Sequence, residues 1–126
     1  DRIAGELERR RQASRPAVLI SMHSFTPVFK AAARRWDVGV LYNRDRRLAT
    51  LLMDLLRREP GLVVGDNEPY RLSDDSDYTI PIHGERRQLP HVEVEIRQDL
   101  IAEEAGQRRW AGLLAQLLPQ AYQQLF

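Results

Sequence analysis

His91-Val-Glu-Val-Glu-Ile-Arg97 alternates apolar and ionisable side chains without interruption. Side chains along a strand point to opposite faces with a period of two. Val92, Val94 and Ile96 therefore share one face, which belongs in a core. His91, Glu93, Glu95 and Arg97 share the other. An ordinary half-exposed strand would give the same pattern. The stretch is followed, however, by Gln98-Asp99-Leu100 and a long amphipathic segment, which suggests an α/β layer rather than a hairpin. Strands inside such layers usually have both faces covered. Four ionisable groups on a covered face are costly unless they are paired, bound to metal or turned into a cleft.

Working outward, residues 100–118 carry Ile101, Trp110, Leu113, Leu114 and Leu117 on one side of a helix, and Pro119 is expected to break or kink it. Leu89-Pro90 leads into the strand from the other side. Residues 78–87 are ambiguous: Pro81 suits a helical first turn, while Gly84 weakens helix and strand alike. Residues 71–77 are polar and turn-rich. Leu62-Val-Val-Gly65 reads as a short strand, ending at Asp66-Asn67-Glu68-Pro69-Tyr70. Before it, Leu48, Leu51, Leu52, Leu55 and Leu56 form an apolar helical stripe that Asn43 or Asp45 can cap and Pro60-Gly61 stops. Residues 36–42 predict a strand. So does the apolar run Ala17-Val-Leu-Ile-Ser-Met22, with a loop expected at His23-Ser-Phe-Thr-Pro27. Residues 2–13 predict a helix, with Ile3 and Leu7 on one face, ended by Pro16. The order helix, strand, strand, helix, strand, variable segment, strand, helix favours a mixed or parallel sheet with helices on its faces. Ligands collect at the carboxyl ends of strands in such sheets. The His23 loop, residues 66–70 and the Glu95–Arg97 end are therefore expected to form one rim.

Composition narrows the function classes. The 126 residues suffice for one domain, 43% hydrophobic and 29% charged. A net charge of +1 gives no electrostatic argument for nucleic acid or an acidic membrane. Of the 19 basic residues only Lys30 is lysine, a bias that genome composition explains more simply than carboxylate recognition. The absence of cysteine excludes disulfides, thiolate ligands and a thiol nucleophile in this chain. No apolar run approaches the roughly 18 residues of a membrane span, and no secretory signal pattern is visible. A soluble, cytoplasmic protein is the default expectation. The chain opens at Asp1 in a helix-like segment, which fits a portion of something longer.

Several residues could carry chemistry, each with a simpler reading beside it. His23 follows a buried strand and could ligate a metal or act as a base. No second ligand lies at short spacing, and a ring bonded to a backbone carbonyl is the simpler account. Glu93 and Glu95 are neighbours on one face. They suit acid–base work or, equally well, a solvated ion-pair ladder with Arg97. Arg97 could also bind a substrate carboxylate bidentately. Asn67, Glu68 and Tyr70 around Pro69 are good turn formers. Arg34-Arg35 beside Trp36 could bind an anion, but a solvent-facing pair is the simpler reading. His83 could be a loop histidine or an oxyanion-stabilising donor. Ser24 lacks a Gly-x-Ser-x-Gly setting.

Together, Met22-His-Ser-Phe-Thr-Pro-Val28, Arg35-Trp-Asp-Val-Gly-Val-Leu-Tyr-Asn43, Val64-Gly-Asp-Asn-Glu-Pro-Tyr70 and Glu93-Val-Glu-Ile-Arg-Gln-Asp-Leu100 resemble, in order and spacing, the C-terminal half of the N-formylglutamate amidohydrolase family. The resemblance implies a zinc-carboxypeptidase-like three-layer α/β/α sandwich around a mixed sheet, of which residues 1–126 are a single domain or the C-terminal part. It implies a zinc-activated water attacking the N-acyl amide of an acidic amino acid such as N-formylglutamate. His23 matches a metal-binding histidine, Glu95 the carboxylate that serves as general base and then acid, and Arg97 and Asn67 substrate-facing residues. The family's N-terminal half, with an Asp-His-Ala type motif expected to hold the other zinc ligands, has no counterpart here, and Gln88-Leu89-Pro90 replaces Gly-Leu-Pro. The expected partners are a small N-acyl amino acid and the N-terminal half of the same protein, with no nucleic acid and no membrane. The isolated chain is expected to be inactive. The alternative is a non-catalytic binding or interaction domain that keeps the scaffold without a complete metal site.

Overall fold

A computed structural model describes residues 1–74 and 79–126; the expected turn-rich stretch at 75–77 and the opening of the ambiguous segment at Tyr78 lie outside the described residues. Four strands form a mixed sheet: β1 (Leu19–Phe25), β4 (Val38–Leu41), β5 (Val64–Asp66) and β6 (His91–Arg97), in the spatial order β1-β6-β4-β5. β1 runs parallel to β6, β4 antiparallel to β6, and β5 parallel to β4. The fold is α/β, as the order of elements led us to expect.

The apolar face of β6 meets the two main helices. Val92, Val94 and Ile96, with Val38 and Val40 of β4, pack against α2 (Arg47–Leu56) and α3 (Glu104–Gln123) through Leu48, Leu52, Leu56, Trp110, Leu114 and Leu117. A helix with a broad apolar stripe lies stably on a sheet because the stripe is removed from water at roughly 25 cal/mol per Å². α3 continues past Pro119 without the break that was one of the two expected outcomes. An interior proline costs on the order of 3 kcal/mol, but Ala121 beyond it is fully buried and Leu125 also packs on this core. Burial of that last turn outweighs the missing N–H.

The other face holds a smaller apolar cluster of Leu41, Leu72, Ile80 and Leu19, beneath a π-helical segment, Thr79–Glu85. That segment resolves the ambiguous stretch. Glu85 at its end accepts hydrogen bonds from the backbone N–H of Arg44 (2.8 Å) and Asp45 (3.0 Å) and from Asn43 Nδ2 (2.9 Å). It thereby ties the segment to the loop before α2. Asp45 accepts from the Arg47 N–H at 3.1 Å, so it caps the start of α2 in part. The N-terminal helix α1 (Arg2–Gln12) buries Leu7, and Asp1 lies 3.3 Å from His83.

One expectation is corrected, and one element is new. β1 continues through His23 and Phe25 instead of yielding to a loop at His23. And a short hairpin, β2 (Val28–Phe29) and β3 (Ala32–Ala33), follows it. Its two-residue turn, Lys30-Ala31, has positive φ at both positions (50° and 63°). That geometry normally calls for Asn-Gly or Asp-Gly, so nothing in the sequence announced it.

Candidate active site

Because β1 is a strand through Phe25, its register with β6 fixes which side chains meet. Ser21 stands opposite Glu93 and His23 opposite Glu95. Across β6, Glu95 faces Gly39 of β4, and Gly39 faces Gly65 of β5. Paired residues in adjacent strands share a face. One row across the sheet therefore reads His23, Glu95, Gly39, Gly65. Glu93 and Glu95 are each 6% exposed. His23, on the outermost strand, has a side chain 52% exposed. Its Nε2 is 3.0 Å from Ser21 Oγ and 3.7 Å from Glu93 Oε1.

The two glycines make room for a wall. A methyl group at Gly39 would stand 2.1 Å from the carbonyl oxygen of Glu68, and one at Gly65 would stand 2.7 Å from the same oxygen. Neither glycine has positive φ; contact, and not backbone conformation, demands them. Residues 66–70 thus double back across the face beside Glu95. This revises the expected rim. β4 and β5 run opposite to β1 and β6, so their carboxyl ends lie at the other end of the sheet. Residues 66–70 reach Glu95 only by returning over the glycines.

His23, Glu93 and Glu95 each offer a ligand atom, and these atoms lie within 4.8 Å of one another. Two ligands on one zinc ion, at bonds of about 2.1 Å, can be at most about 4.2 Å apart. The His23 Nε2 to Glu93 Oε1 distance of 3.7 Å already lies inside that limit, and the bound on the whole group exceeds it by less than an ångström. One nitrogen and two carboxylate oxygens are a donor set that suits a divalent metal. The group could hold a metal ion, and it fits one.

A profile described as N-formylglutamate amidohydrolase matches residues 1–102. The chain belongs to the N-formylglutamate amidohydrolase family. Among solved structures, the gene product Atu2144 from Agrobacterium tumefaciens is similar, at 34% identity and a TM-score of 0.92. That match covers 99% of this chain and 49% of the Agrobacterium chain, so this chain spans about half the length of that relative. No curated protein matches. Family membership agrees with the resemblance carried by the four motifs.

Arg97 and Asn67, which the resemblance made substrate-facing, are both engaged within the fold. Arg97 donates from Nε and Nη2 to Asp99 (2.6 and 3.1 Å) and from Nη1 to the Trp36 carbonyl (3.2 Å), with Asp37 at 3.4 Å. The Asp99 hydrogen bond raises the Arg97 pKa above its ordinary value, despite partial burial. The Asn67 backbone has φ of 54°, its Oδ1 accepts from the Tyr42 N–H at 2.9 Å, and its own N–H donates to Val40. Asn67 closes the turn after β5. Nearby, the Tyr42 hydroxyl donates to Asp66 at 2.6 Å, a bond that, with burial, raises the phenol pKa. His83 and His91 are buried outside the His23 group. Burial first, then the Arg87 cation, pushes the His83 imidazole down. His91 Nδ1 lies 2.6 Å from the Leu89 carbonyl, and its ring packs on Gly84.

Glu93 had no assigned role in the sequence, yet it stands with His23. Its signal was present in the two-residue spacing from Glu95. What was missing was the neighbouring strand that turns two acids into part of a three-residue group.

Proposed function

We propose that the protein containing this chain hydrolyses the N-acyl amide bond of an acidic amino acid, N-formylglutamate or a close relative, with zinc as its metal. The observation that carries the reading is the convergence of His23, Glu93 and Glu95 on one face of the sheet, in a member of this family. In this scheme His23 is a metal ligand and Glu93, beside it, is a second candidate ligand. Zinc held there supplies Lewis acidity, polarising the acyl carbonyl and making the attacking water more acidic. Glu95, in register with His23, takes the proton from that water as its oxygen bonds to the acyl carbon. Glu95 then returns the proton to the amide nitrogen as the carbon–nitrogen bond breaks. The products are the acyl carboxylate and the free amino acid. The buried setting of Glu95 keeps bulk water from competing for that proton.

A catalytic zinc normally takes three protein ligands and leaves one position open. We assign any further ligand to a segment outside this chain, matching the half of the Agrobacterium relative that the similarity does not cover. The position of β1 supports this. It is the outermost strand, with Met22 and His23 about half exposed, so the His23 side of the group opens toward a further layer.

The test is Glu95→Gln in the full-length protein. It should reduce kcat by on the order of 10²- to 10⁴-fold while zinc content stays at one per chain. Near-normal kcat removes Glu95 as the base, and loss of zinc makes it a ligand instead. The half-length coverage also favours a second reading, a scaffold that binds without catalysing. Elemental analysis separates the two, since the binding scaffold would carry no zinc.

A further inference from the structure

Arg34 is the cation that the sequence left as half of a solvent-facing pair. Its guanidinium lies over three aromatic rings: Phe29 at 4.7 Å, Tyr70 at 4.9 Å and Phe25 at 5.8 Å. They come from three different places: the end of β1, the β2–β3 hairpin and the segment that doubles back over the glycines. Arg34 Nη1 reaches the Thr26 carbonyl and hydroxyl at 3.3 and 3.4 Å. Its neighbour Arg35 lies over the Trp36 ring at 5.8 Å and is exposed.

Two features separate Arg34 from a structural clip. Among the described residues no carboxylate lies within ion-pair distance of it, whereas Arg97, Arg44 and Arg47 each hold one or two. And rings over a guanidinium cover its faces; with Nη1 at Thr26, the Nε and Nη2 N–H groups remain for bidentate binding of a carboxylate. Its position is also specific. Phe25 shares the face of His23, one strand repeat further along, roughly 6.6 Å away. Tyr70 is two residues beyond Glu68, whose carbonyl rests on Gly39 beside Glu95. Arg34 therefore bridges the two walls at one end of the His23–Glu95 row.

We propose that Arg34 is the receptor for the side-chain carboxylate of the substrate, and so selects acidic over neutral N-acyl amino acids. The inference rests on the amidohydrolase reading above. An acyl carbon at His23 and Glu95 places the α-carboxylate close to the reacting bond. The side-chain carboxylate, two carbons further out, is the one that spans a strand repeat. Arg97, already neutralised by two aspartates, is not needed for this role.

The experiment compares N-formylglutamate with N-formylglutamine in wild type, Arg34→Met and Arg34→Lys full-length protein. The two substrates differ only in the side-chain charge. Methionine keeps the stacking on the rings and removes the cation. The Met variant should lose about 10- to 100-fold in kcat/KM for N-formylglutamate, through KM, as expected for one charged hydrogen-bonded contact. N-formylglutamine should change less than about twofold on the same reasoning. Lysine, a point charge without the planar fork, should give an intermediate loss for the acidic substrate alone. Equal losses on both substrates would mean a structural clip or an α-carboxylate contact, and would overturn the proposal; so would no loss on either. If wild type hydrolyses neither substrate, the amidohydrolase reading falls, and this one with it.

Discussion

Replacing Gly39 with alanine is the sharpest probe of how the site is built. The added methyl would stand 2.1 Å from the Glu68 carbonyl oxygen, 3.2 Å from its carbon and 3.3 Å from Pro69 Cδ. Ordinary contact begins near 3.4 Å, so the two must part by more than 1 Å. Neither side gives easily: Gly39 is hydrogen-bonded into β4 between β5 and β6, and the obstruction is backbone. Overpacking of this kind costs about 1–3 kcal/mol. Because no flexible side chain absorbs the overlap, we expect the upper end, about 3 kcal/mol. With a urea m-value of about 2 kcal/mol/M, the unfolding midpoint of the full-length protein falls by about 1.5 M. A displacement of about 1 Å beside Glu95 also costs turnover, on the order of 100-fold. Gly112→Ala is the control. Nothing lies within 4 Å of its added methyl, and it occupies an exposed turn of α3. It should raise stability by up to about 1 kcal/mol. A Gly39→Ala protein with wild-type midpoint and kcat would refute the placement of residues 66–70 against β4.

Two further outcomes follow from local chemistry. Burial alone would raise the Glu85 carboxyl, but the N–H donors of Asp45 and Arg44 and the Asn43 amide outweigh it and hold its pKa below the ordinary value. A depressed folded-state value adds stability that is present above the unfolded value and lost as pH falls through the folded one. Glu85→Gln should therefore cost about 1–3 kcal/mol at neutral pH, and the gap to wild type should close below about pH 4.5; parallel stability–pH curves would contradict this. At the hairpin, Ala31 holds φ of 63°, a conformation costing a non-glycine residue roughly 1–2 kcal/mol. Ala31→Gly should stabilise by about 0.5–1 kcal/mol after the entropy glycine loses on folding, measured as a raised unfolding midpoint.

The sequence carried most of the sheet and its helical layer, because period-two and period-3.6 patterns are local. Val92, Val94 and Ile96, and the leucines of α2, needed no tertiary information. What failed was non-local. Pro119 reads as a helix end until Ala121 and Leu125 are seen packed on the core. His23-Ser24-Phe25 looks like loop because Met22 and Ser24 face outward on an edge strand, so no buried alternation marks it. The two glycines show nothing in sequence; only the Glu68 carbonyl above them explains their absence of side chains. For the site, Glu95 and His23 each stood out locally, but only the resemblance joined them, since they lie 72 positions apart. Only strand register places them side by side. The surroundings of Arg34 were hidden for the same reason, because three rings from separate places in the sequence had to converge on it.

The register also answers the question raised by the charged face of β6. Glu93 and Glu95 present oxygens within 4.8 Å of each other, almost wholly buried. If both carboxyls are ionised, charges at that distance repel by roughly 3.5 kcal/mol at an effective dielectric constant near 20. The Glu68 carbonyl, resting on Gly39 next to Glu95, adds the negative end of a dipole to the same row. Carboxylates gathered on one buried face are costly to the extent that their charge is not compensated. A divalent cation held there, as proposed above, would offset their repulsion. His23 adds a half-exposed imidazole nitrogen on the side of the group nearest solvent. On the proposed reading, the cation that this face binds is what makes a carboxylate, and not an apolar core residue, the side chain suited to position 95.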